Sequence, residues 1–281
     1  MSETLLDREG LTATLEGGVL DVVLHRGAAN EIGLSLLADL EALVALFGDA
    51  RVRAMLIHSA SRRGFSAGAD LRELHEGNVR RKAEGASDAA RVAEVRAFLD
   101  RIHAVMDAID AAPFTTIAAT HGVVFGGGFE LALACDLIVA DKTARFAFPE
   151  LRLGLIPGFG GLPRLRRALG TAVTNDLVLT GRSLGAARAY ELGLVSQLVG
   201  DGQAVEVARR VAIQSTRFDA RTTRAALEFV RTDLAAELAR EKDVFCELFL
   251  SPVVDAALAR FAADTSAHPY LPAADPAGGT H

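Results

Sequence analysis

Two β-type apolar runs, residues 11–15 and 19–24, flank Glu16-Gly17-Gly18 and predict a hairpin. Residues 25–30 are a loop. Leu36, Leu37, Leu40, Leu43, Val44 and Phe47 then recur at helical spacing, predicting a helix over 34–47. An apolar run over 52–59 predicts a strand, 61–70 is a loop of small residues, and Leu71 opens another helix. Residues 76–94 are charged and Ala-rich and read either as a solvated lid or as a helix. Phe98, Leu99, Ile102, Met106 and Ile109 place a helix over 95–109. A buried strand is expected over 114–120, a helix over 129–135, and short strands over 137–141 and 145–148. Short helices over 162–169, 171–179 and 186–192 are punctuated by Gly181, Gly185 and Gly193, the last as a C-cap. A strand over 194–199 follows.

After Gly202 the pattern turns wholly helical, with apolar faces over 204–214, 221–230, 234–250 and 253–263. The expected organisation is therefore an α/β core over 1–202, a helical region over 203–265 suited to assembly, and a frayed Pro-, Ala- and Gly-rich tail over 266–281. The chain has 281 residues, half of them hydrophobic, enough for a sizeable core. A net charge of −6 weighs against nucleic acid as a partner. Cys135 and Cys246 are the only cysteines, with no disulfide framework or zinc spacing, which points to a reducing compartment. The acidic start lacks an apolar signal-peptide core, and no apolar run reaches spanning length, so a soluble cytoplasmic protein without a membrane role is expected.

The candidate chemistry is concentrated in 121–161. Gly126, Gly127 and Gly128 stand before a helix, Glu130 falls in its first turn, and Glu150 follows in a Phe-Pro-Glu corner. A helix start leaves N–H groups without intrahelical partners, and glycines let a ligand approach them. Such a place suits an anion or a developing oxyanion, and two carboxylates beside it can divide acid and base work. A Glu in a first turn can equally just complement the helix dipole. Gly64-Phe65-Ser66-Ala67-Gly68 fits the G-x-S-x-G nucleophile elbow, but no strand runs directly into Ser66, and His121-Gly122 follows the motif where the oxyanion loop should precede it. No Walker or G-x-G-x-x-G motif is present. No cluster has metal-ligand spacing, and none of the seven histidines is read as a ligand.

Taken together, these motifs resemble the crotonase (enoyl-CoA hydratase/isomerase) superfamily. The resemblance rests on Phe65-Ser66-Ala67-Gly68-Ala69-Asp70-Leu71, on His121-Gly122 through Gly126-Gly127-Gly128-Phe129-Glu130-Leu131 and Cys135-Asp136, and on Phe148-Pro149-Glu150 through Gly160-Gly161, with Gly193-Leu194-Val195. It runs from about Leu11 to Val199 and is weaker over the helical end. It implies a spiral of ββα units with a C-terminal helical region that builds homotrimers or homohexamers. It implies an acyl-CoA thioester substrate of fatty-acid type and no cofactor beyond that coenzyme A. The N–H groups of Ala69 and Gly127 would form the oxyanion hole, and Ala67 and Leu71 would flank the adenine. Arg26, Arg62 or Arg63 would stand in for the lysines that often meet the phosphates. Because both acidic positions are Glu, the resemblance favours hydration of a 2-enoyl-CoA, with Glu130 activating water and Glu150 supplying the Cα proton. Isomerisation or another acyl-CoA lyase or hydrolase reaction is the alternative, and a non-catalytic scaffold is the reading from another class. His121 stands where Asn is usual, which leaves the bonding of that turn open.

Overall fold

The hairpin pattern of the first residues begins a sheet that the rest of the chain extends. In the computed structural model, which describes residues 2–264, β1 (Glu3–Asp7), β2 (Leu11–Glu16) and β3 (Val19–Leu24) form an antiparallel meander. Helix α1 (Leu34–Ala45) returns the chain to β4 (Ala54–Ser59), which runs parallel to β3. One move then repeats. A strand enters the large sheet, a short strand leaves for a second sheet, and helical structure follows. The first unit is β4, β5 (Gly64–Ser66), α2 (Leu71–Ala83) and α3 (Asp88–Asp110). The second is β6 (Thr115–Thr120), β7 (Val123–Phe125) and α4 (Gly127–Ala134). The third is β8 (Leu137–Asp141), β9 (Arg145–Ala147), a 3-10 turn over Glu150–Leu153 and α5 (Gly161–Thr180). β10 (Leu184–Gly185), α6 (Ala186–Glu191) and β11 (Gln197–Val199) complete the sheets. Their orders are β1-β2-β3-β4-β6-β8-β11 and β10-β9-β7-β5. This is the expected ββα spiral. Helices α7 (Ala204–Ser215), α8 (Ala220–Val230), α9 (Ala235–Phe249) and α10 (Pro252–Ala263) follow. The tail over 266–281 lies outside the described residues.

Several elements differ from the sequence reading for identifiable reasons. β5 and β7 are three residues each, too short to display a period; β5 lies in a stretch read as a loop and β7 in one given no element. The charged segment 76–94 is not a loose lid: it is the end of α2 and the start of α3, N-capped by Asp70 and Ser87. The strand expected over 194–199 is confined to Gln197–Val199. The two helices expected around Gly170 are present as one element broken there, where φ 73, ψ 169 departs from the helix.

Side chains alternate across the large sheet, as the period of two requires. Met55 and Ile57 of β4 join the main core with α1, α3 and α4, while Ala54 and Leu56 face the other way. There they meet Ala204, Ala208 and Ala212 of α7, a row of small residues that brings the helix close to the sheet. Helices α9 and α10 pack on α3, on α2 and on the 3-10 turn, over the end of the spiral where the short strands lead into helices.

Candidate active site

Two backbone bends meet at that end. The first follows β5. Asn30, at φ 49 and fully buried, donates through Nδ2 to Ser59 Oγ (2.7 Å) and to the Phe65 carbonyl (2.9 Å). Ser66 Oγ donates to the Asn30 carbonyl (2.8 Å) and accepts from Gly68 N–H (3.1 Å). A buried hydroxyl committed in this way is a bracket for the bend, which disposes of the nucleophile-elbow reading. Ile32 bridges the bend through Gly68 O and Asp70 N–H, leaving the Ala69 N–H out of that bridge. The second bend is Gly126 (φ 48, ψ −126), the N-cap of α4. A Cβ on Gly68, itself at φ +97, would lie 2.8 Å from Phe125 O and 2.9 Å from Gly127 N. Only glycine lets the two bends approach this closely. A Cβ on Gly127 would sit 3.4 Å from Ala69 N, so the backbones of the two bends lie close together there, and Gly127 N–H, at the first position of α4, has no intrahelical acceptor.

The acidic groups converge on the same place. Glu130, in the first turn of α4, is 2% exposed. Its Oε1 accepts from Phe159 N–H (2.7 Å) and Gly161 N–H (2.8 Å). Burial pushes its carboxyl up to about 7, against the pull of those amides and of Arg164. Glu150 begins the 3-10 turn, and a Cβ on Gly126 would lie 2.5 Å from its Oε1. Its Oε2 is buried without a hydrogen-bond partner. Burial first, then the neighbouring charges of Glu130 and Glu241, raise its carboxyl well above the ordinary range. Both carboxylates border a cavity of about 400 Å³, together with Ala69 and Gly127.

Other expected residues fall in different places. Ala67 and Leu71 line this cavity. Arg26 does not: its Nη1 donates to the Glu31 carbonyl (2.6 Å) and lies 3.6 Å from Asp70, bracing the loop against the α2 N-cap. Arg62 and Arg63 are exposed in the β4–β5 loop and are not among the lining residues. The arginines that border the cavity are Arg80, Arg81, Arg91 and Arg101, from α2 and α3. His121 Nε2 lies 2.8 Å from the Ser61 carbonyl, so that nitrogen carries the proton and donates, and the open question about this turn is answered. Cys135 and Cys246 are both free and buried. Among the described residues no cluster could hold a metal ion and no helix is long and apolar enough to cross a membrane.

One acid was missed. Glu241 of α9 is buried and accepts from Gly160 N–H (2.6 Å) and Leu162 N–H (3.0 Å). Burial, then the charge of Glu130, raise its carboxyl well above normal. Its signal was available: it shares a face with Leu238 and Phe245, three and four residues away, so a charge occupies an apolar helical stripe. His103 is the same kind of intruder on the face of Leu99 and Met106. Its Nε2 lies 2.8 Å from Gly158 O, and burial lowers it to about 4, so it stays neutral.

Comparison with known proteins agrees with this construction. The family model described as Enoyl-CoA hydratase/isomerase matches residues 14–263. The mouse (Mus musculus) enoyl-CoA hydratase domain-containing protein 2, mitochondrial, is 42% identical over 188 residues, 66% of this chain and 59% of that protein. The chain thus spans about three fifths of that relative's length. Carnitinyl-CoA dehydratase of Escherichia coli K12 is 36% identical over 207 residues, 73% of this chain and 74% of that protein. An enoyl-CoA hydratase structure from Mycobacterium avium subsp. paratuberculosis superimposes with a TM-score of 0.77 at 25% identity, covering 91% of this chain and all of that one. With the same spiral, the same sequence motifs and a family match over nearly its whole described length, this chain belongs to the enoyl-CoA hydratase/isomerase family.

Proposed function

We propose that the protein is an enoyl-CoA hydratase, adding water across the 2,3 double bond of an enoyl-CoA to give a 3-hydroxyacyl-CoA. The observation that carries this reading is that buried Glu130 and half-buried Glu150, whose Oε2 is itself buried, border one cavity with Ala69 and Gly127. In this reading the amides of Ala69 and Gly127 donate to the thioester oxygen. The conjugated carbonyl draws electron density from Cβ, and negative charge accumulates on that oxygen as water adds. One donor to such an oxyanion is worth about 3 kcal/mol of barrier.

The carboxyls divide the remaining work by protonation. Glu130, ionised more readily because two amides donate to it, takes a proton from water as its oxygen bonds to Cβ. Glu150, held neutral by burial and like charge, gives its proton to Cα as the enolate collapses. The product then carries hydroxyl on Cβ and hydrogen on Cα. One proton has passed to Glu130 and one has left Glu150, so a proton exchange resets the pair. The same machinery run backwards eliminates water from a 3-hydroxyacyl-CoA, the direction in the name of the E. coli relative. The retention of two carboxyls favours hydration over isomerisation, which needs a single carboxyl to move a proton between carbons.

The test is loss of the conjugated-thioester absorbance of crotonyl-CoA. Glu130→Gln and Glu150→Gln should each lower kcat by about 10²–10⁴ while CoA binding persists. Unchanged rates in both would end the hydratase reading. We infer further that the chain assembles into a homotrimer or homohexamer through its C-terminal helices. What supports this is α8, which has no buried residue and carries Phe229, 90% exposed, beside the exposed Val230.

A further inference from the structure

Glu241 has no part in the proton transfers above, yet it is a buried acid within the shell of the site. Residues 158–162 lead from the 3-10 turn into the first turn of α5, and the amides of Phe159 to Leu162 alternate between two carboxylates. Phe159 and Gly161 donate to Glu130. Gly160 and Leu162 donate to Glu241, one to each of its oxygens. The carbonyls of the bend are held as well. His103 of α3 lies 2.8 Å from Gly158 O, and Arg164 Nη1 reaches Gly160 O at 3.3 Å. Arg164 is itself fixed by Asp107 (2.6 Å) and Asp110 (3.1 Å). A Cβ on Gly161 would lie 2.7 Å from Glu130 Oε1, so a residue larger than glycine would push against that carboxylate.

Gly160 is left-handed (φ 95) and Gly161 opens α5, and along this turn the four amides of Phe159 to Leu162 donate alternately to Glu130 and Glu241, so each carboxylate holds the peptide planes between the donors to the other. We propose that Glu241 is a positioning residue: from α9 it fixes the Phe159–Leu162 bend so that the Phe159 and Gly161 amides stay aimed at Glu130 Oε1. Both Glu241 oxygens accept amides at the N-terminus of α5. The groups facing it are Glu130 of α4, Glu150 of the 3-10 turn, His103 of α3 (3.9 Å) and Arg164 of α5. Helix α9 of the C-terminal region thus contributes to the site twice, lining the cavity with Phe245 and Phe249 and holding the bend behind it with Glu241.

The test has two arms, of which only the kinetic one rests on the hydratase reading. Amide hydrogen exchange is followed in wild type, Glu241→Gln and Glu241→Ala, with β4 and β6 amides as the reference. In Glu241→Ala, exchange at Phe159 and Gly161, which do not touch Glu241, should rise on the order of tenfold or more while β4 and β6 are unchanged. On crotonyl-CoA, kcat should fall on the order of tenfold to a hundredfold with KM nearly constant, because a small displacement of a reacting group costs rate more than binding. Glu241→Gln, isosteric and able to accept one of the two amides, should lie between wild type and Glu241→Ala in both arms, and it carries the test if the alanine variant does not fold. Faster exchange confined to Gly160 and Leu162 would overturn the proposal, as would an unchanged kcat once Phe159 and Gly161 have loosened. If the wild type leaves crotonyl-CoA untouched, the hydratase reading fails and the exchange arm alone decides.

Discussion

Glu130 and Glu150 are chemically the same group, and their surroundings separate them. Burial raises both carboxyls, but Glu130 is drawn back by two amide donors whereas a Glu150 oxygen has none. Hydration needs Glu130 without its proton and Glu150 with it. With Glu130 pushed up to about 7, kcat/KM should fall as pH drops below about 7. It should fall again as rising pH takes the proton from Glu150, whose carboxyl is raised by burial. A pH–rate profile flat through neutrality would contradict this division of roles. The oxyanion donors are backbone groups, so their test is steric. Gly68→Ala puts a methyl 2.8 Å from Phe125 O and 2.9 Å from Gly127 N at a φ of +97 that alanine resists. It should lower kcat by about 10²–10³, the effect of spoiling one donor, while leaving Glu130 and Glu150 in place. Steady-state rates on crotonyl-CoA measure it.

Helices α2 and α3 form one wall of the cavity, and α10 clasps them. Asp255 of α10 accepts from Asn78 Nδ2 (2.8 Å), pairs with Lys82 and stands 3.8 Å from the Arg91 Nη2. Arg91 is buried and donates through Nε to Asn78 (2.9 Å) and through Nη1 to Asp88 (2.6 Å). The charged composition of 76–94 therefore serves ion pairs and hydrogen bonds at a helix junction. Asp255→Ala removes the acceptor of Asn78 and an anion beside buried Arg91, and it should cost about 1–3 kcal/mol in denaturant unfolding. This packing was not legible from the local pattern. An Ala-rich charged run fits both a solvated segment and a helix, and only partners 160 or more residues away choose between them. The three-residue strands β5 and β7 were hidden for a related reason, since their pairing comes from each other and from β9.

Across the molecule, α8 is the one α-helix among the described residues that the single chain leaves without a buried residue. Burying a side chain such as Phe229 is worth about 1.5–3 kcal/mol, so Phe229→Asp should shift the assembly toward smaller species in light scattering without lowering the helix content. An unshifted assembly would place the contact elsewhere. The distribution of legibility follows the range of the forces involved. Helical periodicity, the glycines of the tight bends and the order of the motifs are local, so the sequence alone specified the helical end and both carboxylates of the candidate site, and the family resemblance of its motifs implied the ββα spiral. The bend that orients Glu130, the entry of Glu241 from α9, the contact of Arg26 with Asp70 and the clasp on α2 and α3 join residues 29 to 177 positions apart. Those were decided only by the tertiary structure, because a buried charge reveals its partner only when the chain has brought the two together.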